Sequence, residues 1–185
     1  MADKETQELV ALDKQLRSQQ ISARCGAVAG ISVLLKTTRS AAVCNSALLK
    51  LGESFHRGDN VLRLCILAAL QSCQSQLSRV FNADRLVKRV HAVFESNDPA
   101  ARAIAVWAFQ TLAPLLRTQH RVHSDVRDAL ASSNALEQRA SAHCVGVLAA
   151  SSPAMASASL EAVSQLVLAL ETPAPTRVTL LRVLA

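Results

Sequence analysis

The sequence predicts an all-α fold, an α-solenoid of about five stacked helix–turn–helix units. Three observations predict it. Apolar residues recur at three- and four-residue steps, the pattern repeats about every 38 residues, and segments with strand character are nearly absent. Hydrophobic residues make up 50% of the 185 residues but aromatic residues only 3%, so the core must be built mainly from Leu, Val and Ala.

Two sets of positions share this period. One arginine opens an apolar run in each unit, at Arg24, Arg63, Arg102, Arg139 and Arg177, with steps of 39, 39, 37 and 38 residues. The first helix of each unit carries an apolar couple four residues apart: Leu12/Leu16, Leu51/Phe55, Val90/Phe94, Val126/Leu130 and Leu166/Leu170. The period is close to that of HEAT and armadillo repeats, about 40–47 residues, whereas tetratricopeptide repeats have about 34.

The first four helices are predicted at residues 4–17, 22–36, 40–55 and 60–73. A short amphipathic extension follows at 74–82. The turn between the two helices of a unit recurs in three places, as Gly58-Asp59-Asn60, Asn97-Asp98-Pro99 and Ser132-Ser133-Asn134. Asp, Ser and Asn accept hydrogen bonds from the free amides of a helix start, so each turn is expected to begin the second helix of its unit.

The central stretch, residues 86–116, predicts two helices separated by a sharp turn. Asp98 is the expected N-cap, Pro99 suits the first helical position, and Arg102 follows the cap by four residues. Residues 100–116 are apolar almost all round, so this helix must be covered on several sides. Pro114 should kink or fray its end, because proline cannot donate to the carbonyl of Gln110.

The remaining helices are predicted at residues 119–132, 134–151 and 154–171, with breaks at 151–153 and 172–175. A last helix stops at Ala185 inside an apolar run without a capping residue, whereas terminal repeats normally present a polar outer face. Residues 1–185 are therefore expected to form a single HEAT/armadillo-like domain, the N-terminal part of a longer protein.

Several classes of function have no support in the residues. Acidic residues occupy the region where a signal peptide would be apolar, and no apolar run approaches the length of a membrane span. The five cysteines lack paired spacing and are typical of reduced, buried thiols. His120 and His123 share a helix face but are expected to be simply polar, while His143 and Cys144 are expected in the core. No enzyme, cofactor or metal is predicted.

Positive charge is concentrated in the first half of the chain. Between residues 14 and 94 there are twelve basic residues against three acidic ones. One interpretation is structural: basic residues occupy solvated helix ends, and the repeating arginines pair with cap aspartates along the stack. The other is an electropositive surface for nucleic acid or an acidic partner. Arg85, Lys88 and Arg89 share one helix edge and are the candidate partner-binding residues.

Several segments carry a family resemblance. These are residues 12–18 (LDKQLRS), 45–51 (NSALLKL), 60–67 (NVLRLCIL), 87–90 (VKRV) and 96–104 (SNDPAARAI). In order and separation they resemble the amino-terminal region of the Integrator complex subunit 7 family. The clear resemblance covers residues 12–113, and beyond residue 117 only helical pattern and composition are shared.

The resemblance implies a non-catalytic scaffold subunit of a large nuclear complex. That complex acts with RNA polymerase II, cleaves nascent transcripts including small nuclear RNAs, and attenuates transcription, with nuclease and phosphatase activities in other subunits. Other protein subunits are then the partners, and no membrane or small-molecule substrate is implied. The expected location is the nucleus, with the cytoplasm as a second compartment. The alternative is a nucleic-acid-binding α-solenoid that uses its basic face directly.

Overall fold

The computed structural model describes residues 2–184, Ala2 by its backbone alone, and these residues form an all-α fold. Ten α-helices follow one another without a strand in this range. The predicted α-solenoid class of helix pairs is confirmed. Ala185, where the last helix was predicted to stop, lies outside the described residues.

The helices are bounded as follows: α1 Ala2–Leu16, α2 Ile21–Thr37, α3 Ala41–Arg57, α4 Asn60–Ser72, α5 Ala83–Phe94, α6 Pro99–Thr111, α7 His120–Asp128, α8 Ala135–Ser151, α9 Pro153–Leu168 and α10 Ala174–Leu184. Short 3₁₀ segments lie at Gln74–Arg79, Ala113–Leu115 and Ala129–Ala131. The predicted extension after α4 is the first of these, and the predicted fraying at Pro114 is the second. The seventh helix is shorter than predicted, because its last turn tightens into the third segment.

The chain divides into two compact units, Met1–Val93 and Phe94–Ala185. In the first unit α1 packs on α2 and α3 packs on α4, while α1 also contacts α3 and α2 contacts α4. First helices therefore lie beside first helices and second beside second, which is the layering of a helical repeat. Gly52 of α3 allows close approach of α5, since a Cβ there would lie 2.7 Å from Cδ1 of Leu86.

The second unit shows the same layering. Its helix α8 packs against α6, α7, α9 and α10, and α7 also contacts α9. The second helices α6, α8 and α10 thus form one layer, and α7 and α9 the other. Helix α8 is central, and Ala140, Cys144, Val145 and Leu148 on it are fully buried.

Helix α6 is buried on nearly all sides, as its apolar sequence predicted. The side chains that lie inside are Ala101, Ala103, Ile104, Ala105, Val106, Ala108, Phe109 and Thr111. Small alanines let neighbouring helices approach closely, and Phe109 fills the space between them with no exposed surface.

Two details of the repeat register were predicted wrongly. Arg139 is exposed, and Gln138 takes the place that arginine has in other units. In α9 the predicted couple Leu166/Leu170 does not face the core, because α9 ends at Leu168 and Leu170 is 95% exposed. The residues that α9 buries are Met155, Ser159 and Val163.

Candidate partner-binding groove

A basic groove of about 710 Å³ lies in the first unit. Side chains from α1, α3 and α5 line it, together with Arg24 of α2, Leu62 of α4 and the turns that follow α1 and α3. Its charged residues are Asp13, Arg17, Arg24, Lys50, Glu53, Arg57, Arg85 and Arg89. Because six of these are basic and two acidic, the groove is electropositive.

Two carboxylates in the groove each hold two cations. Asp13 Oδ2 lies 2.8 Å from Arg17 Nη2 and 2.7 Å from Lys50 Nζ. Burial alone would raise the pKa of Asp13, but the hydrogen bond and charge of Lys50, joined by those of Arg17, bring this pKa below its ordinary value. Each carboxylate can neutralise only one of its two cations, so each cluster keeps a positive charge.

The second cluster is centred on Glu53. Its Oε1 lies 2.8 Å from Arg57 Nε and its Oε2 2.8 Å from Arg89 Nε. Arg57 is four residues further along α3, whereas Arg89 belongs to α5. The cluster therefore links α3 to α5, the first helices of successive repeats, and leaves one positive charge unbalanced.

The predicted edge residues do not all lie in this groove. Arg85 and Arg89 line it, but Lys88 does not and points its exposed side chain elsewhere. Arg89 is paired with Glu53, whereas Arg85 makes no ion pair with any other residue in the described part of the chain. Whether these three residues bind a partner stays a prediction.

Asp13, Lys50 and Glu53 were not predicted from the sequence as residues of this site. A signal for them exists, because Asp13 and Lys50 are 37 residues apart and Glu53 and Arg89 are 36 residues apart. Each pair is separated by about one repeat, which places its members on adjacent helices of one layer. Opposite charges at the repeat distance would have indicated both contacts.

The repeat turn before α6 contains Asp98 and Pro99, and Arg102 follows in the first turn of that helix. The Asp98 carboxylate accepts a hydrogen bond from the backbone N–H of Ala100 at 2.9 Å, and Pro99 occupies the first helical position of α6. Asp59 and Asn134 cap α4 and α8 in the same way. The cap positions satisfy amides that a helix start leaves without a partner.

Arg102 links this turn to the next one in the second unit. Its Nη1 donates to the backbone oxygen of Ser96 at 3.1 Å, and its Nε and Nη2 donate to the two carboxylate oxygens of Glu137, each at 2.9 Å. Glu137 is 4% exposed and also accepts a 2.8 Å hydrogen bond from the Ser132 hydroxyl. Burial would raise the pKa of Glu137, but the hydrogen bonds from Arg102 and Ser132 and the Arg102 charge hold it below its ordinary value.

In three of the repeats, a side chain in the first turn of the second helix has the same role. Arg63, Gln138 and Arg177 each donate to the backbone oxygen eight residues earlier, at the end of the preceding helix. Such donors satisfy carbonyls that a helix end leaves without a partner. Arg24 pairs with the cap residue Asp59 at 2.9 Å, as expected of a structural arginine.

Removing the Asp98 carboxylate tests the cap directly. We expect Asp98→Ala to lower the free energy of unfolding by about 0.5–2 kcal/mol, because the first amides of α6 lose their acceptor. Urea denaturation followed by circular dichroism measures it. Asp98→Asn is the control, since asparagine caps nearly as well. An unchanged midpoint for the alanine variant would show that the cap does not stabilise α6.

The histidine, cysteine and acidic side chains in residues 2–184 do not cluster into a metal site. No group of three or more His, Cys, Asp or Glu side chains in residues 2–184 is arranged to hold a metal ion. The rings of His120 and His123 are 6.1 Å apart, and burial lowers the pKa of His123. His143 is only half-buried against Trp107, at 5.2 Å between ring centroids, so its predicted core position is wrong, whereas Cys144 is buried as predicted.

All five cysteines are free thiols. Cys44, Cys73 and Cys144 are buried, as expected. Cys25 and Cys65 are only partly buried, and their sulfur atoms lie 3.2 Å apart on α2 and α4. None of the helices within residues 2–184 has the length and apolar character needed to cross a bilayer.

A family model for the N-terminal region of Integrator complex subunit 7 matches residues 9–185. The chain belongs to the Integrator complex subunit 7 family. It is 34% identical to Integrator complex subunit 7 of Mus musculus and 30% identical to that of Drosophila melanogaster, in each case over 95% of the chain. The Dictyostelium discoideum homolog is 26% identical over 91% of the chain.

The match to the Integrator complex subunit 7 family extends further than the residues had indicated. Sequence segments carried the resemblance only to residue 113, whereas the family match continues to residue 185. The chain spans 18% of the length of the mouse relative. Among solved structures, an engineered protein is similar in fold, with a TM-score of 0.69 and 16% identity over 95% of the chain and 77% of its own.

Proposed function

We propose that this member of the Integrator complex subunit 7 family is part of a scaffold subunit of an Integrator complex in the nucleus. The family match over residues 9–185 is the observation that carries the proposal. A helical repeat presents extended surfaces to other proteins, and this is the usual use of such folds. The partners are then other protein subunits of the complex.

In this proposal the chain contributes binding surface and other subunits contribute the catalysis. The carboxylates of Asp13, Glu53 and Glu137 are each engaged in an ion pair with a side chain of another helix. The complex would act with RNA polymerase II in 3′-end processing of small nuclear RNA and in transcription attenuation. Residues 1–185 would form one repeat domain at the N-terminal end of a longer subunit, in agreement with the N-terminal position of the family match.

A second candidate function is direct binding of nucleic acid by the basic face. The surplus of positive charge in the groove favours it. Binding to phosphates releases counterions, so affinity should fall with salt at a log–log slope of about −0.7 to −0.9 per phosphate contacted. The triple variant Arg85→Glu, Lys88→Glu and Arg89→Glu would then abolish binding.

The scaffold proposal is tested by capture from nuclear extract. We expect the tagged 185-residue chain to enrich other Integrator subunits, identified by mass spectrometry, and nuclease treatment to leave this enrichment unchanged. Protein contacts do not need an intervening nucleic acid, which is the reason for that expectation. Loss of all Integrator subunits after nuclease treatment would favour the second candidate, and their absence from both samples would contradict the scaffold proposal.

A further inference from the structure

We infer that the basic groove of the first unit binds an acidic peptide segment of another protein, one that carries an aliphatic side chain between its carboxylates. This rests on the proposed scaffold function and names the chemistry of one partner. The groove of about 710 Å³ is within the range of about 300–1,000 Å³ typical of ligand pockets.

The groove has an excess of positive charge, which acidic groups of a partner would balance. Six basic side chains line it, and the carboxylates within reach are those of Asp13, Glu53 and Asp59, which leaves a surplus of three positive charges. Arg85 has no carboxylate partner among the described residues, whereas Arg24 is paired with Asp59. Carboxylates of a partner would supply the missing charge and acceptors.

The groove also has an apolar part. Leu16, Leu49 and Leu62 contribute to its lining, Leu16 and Leu62 being buried and Leu49 half-buried. An aliphatic side chain of the partner can be covered there. Apolar contact adds affinity that paired surface charges do not provide by themselves.

The lining favours a peptide over RNA. Of the described residues that line the groove none is aromatic, so bases have no ring on which to stack. Asp13 and Glu53 would repel a continuous row of phosphates, whereas they can accept hydrogen bonds from the backbone N–H groups of a peptide. An alternating acidic and aliphatic segment satisfies both the cations and these two acceptors.

The two internal carboxylates compete with the partner for the same cations. Glu53 holds Arg57 and Arg89, with both distances at 2.8 Å. Replacing Glu53 with glutamine removes the competing charge but keeps the shape of the side chain. This variant should therefore bind an acidic peptide more tightly, which a purely structural role of Glu53 would not produce.

The experiment measures fluorescence anisotropy of a labelled peptide of Asp, Glu and Leu titrated with the 185-residue chain. A matched peptide of Asn, Gln and Leu and a single-stranded oligouridine are the comparison probes. We expect the acidic peptide to bind most tightly. Its affinity should increase about five-fold in Glu53→Gln and decrease more than five-fold in the double variant Arg57→Glu, Arg85→Glu.

The double variant Arg139→Glu, Arg182→Glu is the control, because it changes the net charge equally at exposed positions of the second unit. It should leave the affinity unchanged. Circular dichroism melts verify that the variants fold, and Glu53→Gln carries the test if Arg57→Glu, Arg85→Glu unfolds. Equal affinity for the neutral peptide, tighter binding of oligouridine, or no gain in Glu53→Gln would overturn the inference.

These outcomes are separable from the scaffold proposal. If the chain captures Integrator subunits but does not bind the acidic peptide, the groove inference is wrong and the scaffold proposal stands. If the peptide binds as expected but no Integrator subunit is captured, the scaffold proposal is wrong and the groove remains an acidic-peptide site.

Discussion

Replacing Arg102 with alanine should lower the free energy of unfolding by about 3 kcal/mol. Glu137 would be left as a buried carboxylate with only the Ser132 hydroxyl as donor among its present partners, at 4% exposure. Breaking a fully buried ion pair costs about 3–5 kcal/mol. The lower end applies because the Arg102 side chain is 27% exposed. Urea denaturation followed by circular dichroism gives the value.

Arg121→Ala is the matched control for Arg102→Ala. It also removes an arginine from an ion pair of the second unit, with Glu95, but both side chains are largely exposed. Exposed pairs are worth about 1 kcal/mol or less, so this variant should be close to the parent. Equal losses in the two variants would show that the burial of Glu137 is not what makes the Arg102 contact important.

Phe109→Ala should have an effect at least as large, about 3–5 kcal/mol. Phe109 has no exposed surface, and its ring centroid lies 6.1 Å from that of Phe94. Truncation removes the transfer free energy of the ring and leaves a cavity that the surrounding alanines of α6 are too small to fill. The same denaturation measurement applies.

Phe81→Ala is its control, because Phe81 is 69% exposed. Substitutions at exposed sites usually change stability by less than about 0.5 kcal/mol. If Phe109→Ala were as mild as Phe81→Ala, α6 would not be the buried helix described above.

The sequence was sufficient to predict the helix pairs, because apolar spacing and cap residues act locally. Asp59 and Asp98 each begin a second helix as predicted. The predicted register is wrong in the fourth repeat. Its residue type favoured Arg139 as the repeating arginine, but the neighbouring Gln138 occupies that position. The role of that position is to donate a hydrogen bond to a helix-end carbonyl, which the amide of Gln138 does without a charge.

The buried residues of the ninth helix were predicted wrongly for a different reason. Its buried positions include Ser159, and Leu170, which the apolar pattern favoured, lies beyond the helix end. A small hydroxyl side chain can be buried where helices approach closely, as Ser159 is with its hydroxyl 3.6 Å from the Met155 sulfur. Hydrophobicity carries no signal for such a position.

The groove could be predicted only in part. The edge formed by Arg85 and Arg89 followed from helical spacing within α5. The groove residues of α1 and α3 could not be predicted in this way. They depend on which side chains meet across neighbouring helices, and the paired residues are 36 or 37 positions apart in the sequence. Long-range pairs of this kind, such as Asp13 with Lys50, require either the repeat register or the structure.

The central claim, that this chain serves as the N-terminal module of an Integrator scaffold subunit, is tested most directly by a chimera. The chain replaces the corresponding N-terminal segment of the mouse relative in cells depleted of the endogenous subunit, and recovery of the complex is measured together with unprocessed small nuclear RNA. We expect the chimera to co-purify with the other subunits and to restore 3′-end processing. A chimera that is folded and expressed at the normal level but does not join the complex would contradict it.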